Sequence, residues 1–140
     1  MLITKRIAHL SKYTQFHIDE ALKKYNLSTG LYPFLLALDS EEGINLDCIS
    51  KKIKVDKAMS TRSVKKLMDL DYIKKYTDAK DSRACQLFLT DKARVIIPFI
   101  KSELAVWNKE ITADLTEEEI VIFDQLLEKI FARAVKAKKY

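Results

Sequence analysis

The sequence predicts a mostly α-helical protein carrying one small β-hairpin, and three observations lead there. Only two Gly and two Pro occur in 140 residues, which excludes collagen-like, low-complexity and loop-rich all-β chains and suits long helices. Apolar side chains recur at three- and four-residue spacing through most of the chain, the period of a helix with one buried face. Strict alternation occurs around residues 85–89, enough for one hairpin with the short strand before it. A chain of this length buries roughly two-thirds of its unfolded surface, so its core needs neither staple nor metal, and residues 1–140 are expected to form a single domain.

Residues 2–25 read as an amphipathic helix with Ile3, Ile7, Leu10, Thr14, Ile18, Ala21 and Tyr25 along one side, ended by Asn26. Ser28 can cap the next helix, which starts near Thr29, or near Tyr32 because Pro33 belongs in a first turn, and runs to about Leu38. A turn follows at 39–43. Asn45 caps a short helix, Leu46–Ile53, with Leu46, Ile49 and Ile53 on its apolar face and Asp47 in its first turn. Asp56 caps a longer helix over 57–70, expected to bury Met59, Val64, Leu67 and Met68 and to expose Lys57, Ser60, Thr61, Arg62, Lys65 and Lys66. Two helices joined by about three residues, the second of them basic, form a helix-turn-helix.

A strand at 72–76, a polar loop at 77–83 and a second strand, Cys85–Leu89, make a hairpin that reads as a wing. Thr90 caps a helix carrying Ala93, Ile97, Ile100, Leu104, Trp107 and Ile111, which Pro98 should bend. Thr116 and Glu119 form a capping box for the last helix, expected to bury Ile120, Phe123, Leu127, Ile130 and Ala134 and to end in Lys136, Lys138 and Lys139. The fold class is thus a winged helix-turn-helix over 28–90 with long helices at 1–26 and 91–140. Those terminal helices outrun what such a core requires, and their apolar stripes are expected to serve as dimerisation helices of an obligate homodimer. The competing reading is a compact monomer with a satellite helical cluster.

The formal net charge of +5 is concentrated in one place. Residues 51–83 hold 11 basic side chains against 5 acidic ones, whereas 1–50 sum to −1 and 84–140 to zero. General solubility has no reason to choose one window, and a polyanionic partner is the physical reading. Enzyme chemistry is not expected: there is no Gly-rich phosphate loop, no Ser/His/Asp or Cys/His set and no metal-ligand spacing, so neither cofactor nor metal is anticipated. His9 and His17 stand two turns apart without a carboxylate that serves both. No apolar run approaches the ~20 residues of a membrane span and the N-terminus lacks a signal-peptide core, so a cytoplasmic location is expected.

Three stretches resemble the MarR/SlyA family of bacterial winged-helix transcriptional regulators. The run Leu27-Ser28-Thr29-Gly30-Leu31-Tyr32-Pro33-Phe34-Leu35 is similar to the opening of the family's second helix. Ser60-Thr61-Arg62-Ser63-Val64-Lys65-Lys66-Leu67 is similar to its recognition helix, Thr-Arg pair included. Asp81-Ser82-Arg83-Ala84 followed by Leu87-Phe88-Leu89-Thr90-Asp91-Lys92-Ala93 looks like the wing tip, the strand and the entry to the fifth helix. Where the family often has Gly after the recognition helix this chain has Asp71, which tolerates the left-handed conformation better than most residues. The family's frequent Gly after the fifth-helix entry is also absent.

The resemblance implies a homodimer binding double-stranded DNA at a palindromic operator, acting as a ligand-responsive repressor. A recognition helix presents its N-terminal half to base edges, where Ser60, Thr61 and Arg62 are apt types, with Arg62 able to grip guanine bidentately. Only five residues are Arg against twenty Lys, yet Arg62 and Arg83 both fall in the basic window, where planar donors are placed. Arg83 resembles a wing-tip arginine entering the minor groove, with Asp81 bracing it. Lys57, Lys65, Lys66, Lys74, Lys75 and Lys80 would touch phosphates. By the same resemblance His9, Tyr13, Tyr32 and Phe34 could line a pocket for a small aromatic effector; the plainer reading is dimer or core surface. Cys48 and Cys85 read as inert buried thiols, although some members of the family sense oxidants. The alternative function is a winged-helix protein-interaction module docking an acidic partner through the basic face.

Overall fold

The computed structural model describes residues 2–77, 80 and 85–138, so Asp81 and Arg83 lie outside the described residues. It divides into two compact units, Met1–Ala105 and Val106–Tyr140. In the first unit, α1 (Ile3–Leu22) passes into one 3-10 turn, Lys23–Tyr25, and stops where Asn26 takes the left-handed conformation (φ 59°). The next helix takes the later of its two expected starts: α2 is Tyr32–Ser40. Ser28 acts through its carbonyl, which accepts from the Leu31 and Tyr32 amides, and Pro33 sits in the first turn where its missing N–H costs nothing. The neighbouring Thr29 ties this turn to α1, its N–H and hydroxyl both donating to Asp19 Oδ1 at 2.7 and 2.9 Å.

Two side-chain caps set the central helices. Asn45 Oδ1 accepts from the Cys48 amide at 2.8 Å to open α3 (Leu46–Ile53), and Asp56 Oδ1 accepts from the Met59 amide at 2.8 Å to open α4 (Lys57–Asp69). After α4 the chain turns through Asp71 at φ 64°, the left-handed position anticipated for this residue. Strands β1 (Ile73–Thr77) and β2 (Cys85–Leu89) pair antiparallel from Ile73↔Leu89 to Thr77↔Cys85. Residues 43 and 44 extend this sheet on the far edge of β2: Gly43 N–H donates to the Leu87 carbonyl (2.8 Å) and Leu87 N–H to the Ile44 carbonyl (3.0 Å). Gly43 has φ 80°, and a Cβ there would stand 3.5 Å from the Phe88 ring, so backbone freedom matters at this position.

The core of this unit joins Ile18 and Leu22 of α1, Phe34, Leu35 and Leu38 of α2, Ile49, Val64 and Leu67 of the helix-turn-helix, Ile73, Leu87 and Leu89 of the hairpin, and Ala93, Ile97 and Ile100 of α5 (Asp91–Ile111). Polar clasps fix its edges. Tyr72 donates its hydroxyl to the Tyr25 carbonyl at 2.6 Å, and Thr90 accepts from the Ala93 amide while donating to the Asp71 carbonyl. Lys92 reaches the Leu70 carbonyl at 2.7 Å with its ammonium 4.5 Å from the Tyr72 ring centre, and Lys101 pairs with Asp39 at 2.7 Å.

Helix α5 continues into the second unit, which contains α6 (Glu117–Ala137). Thr116 and Glu119 form the expected reciprocal capping box, at 3.2 and 2.9 Å. The expected burial by α6 is not found: Phe123, Leu127, Ile130 and Ala134 are exposed and Ile120 is half-buried. Met59 and Met68 of α4 likewise face solvent, while their chain neighbours Ser60 and Leu67 are fully buried. Ser60 can go inside because its hydroxyl donates to the Asp56 carbonyl at 2.9 Å, so the serine carries no unsatisfied group inward. Among the described residues no helix is long and apolar enough to cross a membrane, and no cluster of three or more His, Cys, Asp or Glu could hold a metal ion.

Candidate nucleic-acid interface

With Ser60, Val64 and Leu67 pointing inward, helical geometry turns Ala58, Arg62, Lys65, Lys66 and Asp69 outward, flanked by Thr61 on one side and Met59 on the other. The expected surface residues Lys57, Thr61, Arg62, Lys65 and Lys66 are all exposed. Ser60 is not, at 0% exposure, and it leaves the set of possible DNA contacts for the reason just given. Thr61 spends its hydroxyl on the Lys57 carbonyl at 2.8 Å.

The hairpin adds a second wall. Alternation puts Lys75 on the side of Ile73 that faces the body of the unit and Lys74 on the opposite side, beside Tyr76, Gln86 and Phe88. Between the start of α3, α4 and the hairpin lies a cleft of about 610 Å³, with Lys57, Lys65 and Lys75 on its walls and Val64, Met68 and Leu87 among its apolar lining. Lys57 pairs with Asp47 at 3.1 Å, both side chains well exposed. Among the described residues Arg62, Lys65, Lys66, Lys74 and Lys75 of α4 and the hairpin make no ion pair, so these side chains are available to an outside anion. Lys80 is exposed on the loop between the strands.

Sequence reasoning missed the exposure of Ala58 and Met59 and the Lys57–Asp47 pair. The first would have followed from placing the capped helix's inward direction at 60-64-67; the second joins two helices and has no local signal. The residues expected around an effector are not all available. His9 and Tyr13 are exposed on α1 and Tyr32 is half-buried, its phenol pushed above the usual range by burial. Phe34 is 1% exposed and belongs to the core, which removes it from any open pocket. Cys48, expected to be buried, is exposed, and Cys85 is half-buried at the cleft.

No family model matches the chain. It is 33% identical over 113 residues to the HTH-type transcriptional regulator BilQ of Clostridioides difficile, covering 81% of this chain and 76% of that one. Among solved structures it is similar to a MarR protein from Peptoclostridium difficile, 30% identical with a TM-score of 0.91, covering 99% of this chain and 93% of the other. A MarR family transcriptional regulator from Listeria monocytogenes complexed with 26mer DNA has a TM-score of 0.88 over 96% and 90% of the two chains; at 22% identity that likeness shows the fold alone.

Proposed function

The chain belongs to the MarR/SlyA family of winged helix-turn-helix transcriptional regulators, and from that premise we propose that it is a homodimeric, sequence-specific repressor released from a palindromic operator by a small ligand. Its relative BilQ is an HTH-type transcriptional regulator. The observation that carries the reading is Arg62, exposed on the outward side of α4 without an acidic partner among the described residues. A guanidinium there can donate two parallel bonds to guanine O6 and N7. Thr61 stands beside it, Lys57, Lys65, Lys66, Lys74, Lys75 and Lys80 hold phosphates, and Arg83, braced by Asp81, enters the minor groove.

In this reading residues 28–90 bind DNA and residues 1–26 and 91–140 dimerise. Exposure supports it: Leu2, Ile3, Ile7 and Leu10 at one end of the chain and Phe123, Leu126, Ile130 and Phe131 at the other are 43–56% exposed, more apolar surface than a lone helix leaves in water without a partner. An aromatic effector would meet His9 and Tyr13 of α1 and Tyr32 at the start of α2. The test is a mobility-shift titration on the duplex upstream of the chain's own gene, with light scattering on the same preparation. The expected outcome is a discrete shifted complex on a palindrome with half-sites about one helical turn apart, near twice 16.2 kDa for the free protein, and strong loss of binding for Arg83→Ala with the mass unchanged. A 16 kDa species at micromolar concentration would remove the dimer. Full retention of site preference by Arg62→Lys and Arg83→Lys would count against base and groove readout, and no shifted complex on any duplex would favour an acidic protein partner.

A further inference from the structure

The outward side of α4 carries an apolar patch that charge alone does not use. Ala58 and Met59 are exposed in its first turn, Met59 at 46%, one helical turn before Arg62. Ser60 occupies the inward position and is held by the Asp56 carbonyl, and the Asp56 cap takes the Met59 amide at 2.8 Å. These two bonds fix the phase of the first turn, so the thioether cannot rotate into the core without undoing the cap. Asp69 lies on the same outward side as Arg62, about 10 Å further along the axis. Its carboxylate repels phosphate there and confines close approach to the N-terminal half, where Ala58, Met59 and Arg62 stand together. Arg62, Lys65 and Lys66, none of them in an ion pair among the described residues, give that side positive charge, which selects a polyanion rather than an apolar partner as its occupant.

We propose that Ala58 and Met59 read the 5-methyl group of a thymine adjacent to the base pair engaged by Arg62, so that each half-site holds thymine next to guanine. Thymine is the base that presents a methyl group in the major groove, and apolar side chains meet it without desolvating a charge. The inference rests on α4 being the DNA-reading helix, and the experiment separates the two.

The full chain is used to select a duplex from a randomised double-stranded library, and each thymine of the selected site is then replaced by deoxyuracil, which removes the methyl and keeps every hydrogen bond. One thymine per half-site should weaken binding about fourfold when replaced, the fold-change given by about 0.8 kcal/mol for a buried methylene-sized group, and about fifteenfold when both half-sites are changed. Met59→Leu should keep that ratio, and Met59→Ala should bring it below twofold at the same thymine. The deoxyuracil series on the unaltered protein stands whatever a variant does to folding. A selected site at which no deoxyuracil matters, or a ratio unchanged in Met59→Ala, overturns the methyl reading and leaves DNA recognition standing. A selection that enriches no sequence overturns both.

Discussion

Asp47→Asn should tighten DNA binding, an unusual outcome for a substitution in a DNA-binding region. Asp47 pairs with Lys57 at 3.1 Å across the α3–α4 junction, the two side chains 59% and 70% exposed. At that exposure the pair contributes at most about 1 kcal/mol to the fold, and Asp47 adds a further 0.3–1 kcal/mol or so by sitting in the first turn of α3. Loss of both predicts a small drop in melting temperature. Toward DNA the sign reverses, because the carboxylate competes with phosphate for Lys57 and repels the backbone. Releasing that competition is worth about 0.5–1 kcal/mol per half-site, or roughly two- to fivefold, and therefore about five- to twenty-five-fold for a dimer on two half-sites. Each additional phosphate neutralised steepens the log–log salt dependence by about 0.9, so two Lys57 side chains add up to about 2 to the slope. Fluorescence anisotropy on one duplex between 50 and 300 mM salt reads both quantities. Equal or weaker binding by Asp47→Asn at low salt would mean that Lys57 does not face the phosphates, and the placement of DNA against the N-terminal half of α4 would fall with it.

Arg62→Lys should keep the salt slope, since the charge remains, while cutting preference for the selected site by about 1–3 kcal/mol through loss of the bidentate grip; competition between matched and mismatched duplexes checks this. Ser60→Ala should leave DNA affinity unchanged and alter stability by less than about 1 kcal/mol, because the hydroxyl serves only the Asp56 carbonyl; a tenfold loss of binding would return Ser60 to the interface. Tyr72→Phe should cost about 1 kcal/mol in urea melts by removing the 2.6 Å bond to the Tyr25 carbonyl. Burial, and secondarily Tyr25, raises the Tyr72 phenol above its ordinary value near 10, so the neutral form is favoured in the folded state. Its stabilisation is complete below the unfolded pKa and fades as pH climbs from about 10 upward, and Tyr72→Phe should lose less stability over that alkaline window.

What the sequence disclosed was what local chemistry decides. Asn45, Asp56 and Thr116 each announce a helix start because a side-chain oxygen bonds an amide three residues ahead, and all three caps form. The turn after α4 came from the family resemblance, which places Gly there; Asp71 fills the position at a positive φ that few non-Gly residues accept. The phase of α4 was harder. Hydrophobicity favours Met59 inside and Ser60 outside, and the helix does the reverse because a serine bonded to its own i−4 carbonyl carries no unsatisfied group inward. The pairing of residues 43–44 with β2 and the Lys57–Asp47 bridge depend on segments far apart in the chain, beyond what spacing can report. Along α6 the stripe of Phe123, Leu127 and Ile130 is real, but a stripe tells that a face wants covering and not what covers it.

Recognition of a specific duplex by α4 is tested most directly by the ratio of affinities for the selected site and for a scrambled duplex of the same composition, measured at 0.15 M salt. Base reading by Arg62 and its neighbours requires a ratio of at least about 10³, with one dimer bound per site. Equal affinities for the two duplexes would reduce the basic window to phosphate attraction alone and contradict sequence recognition.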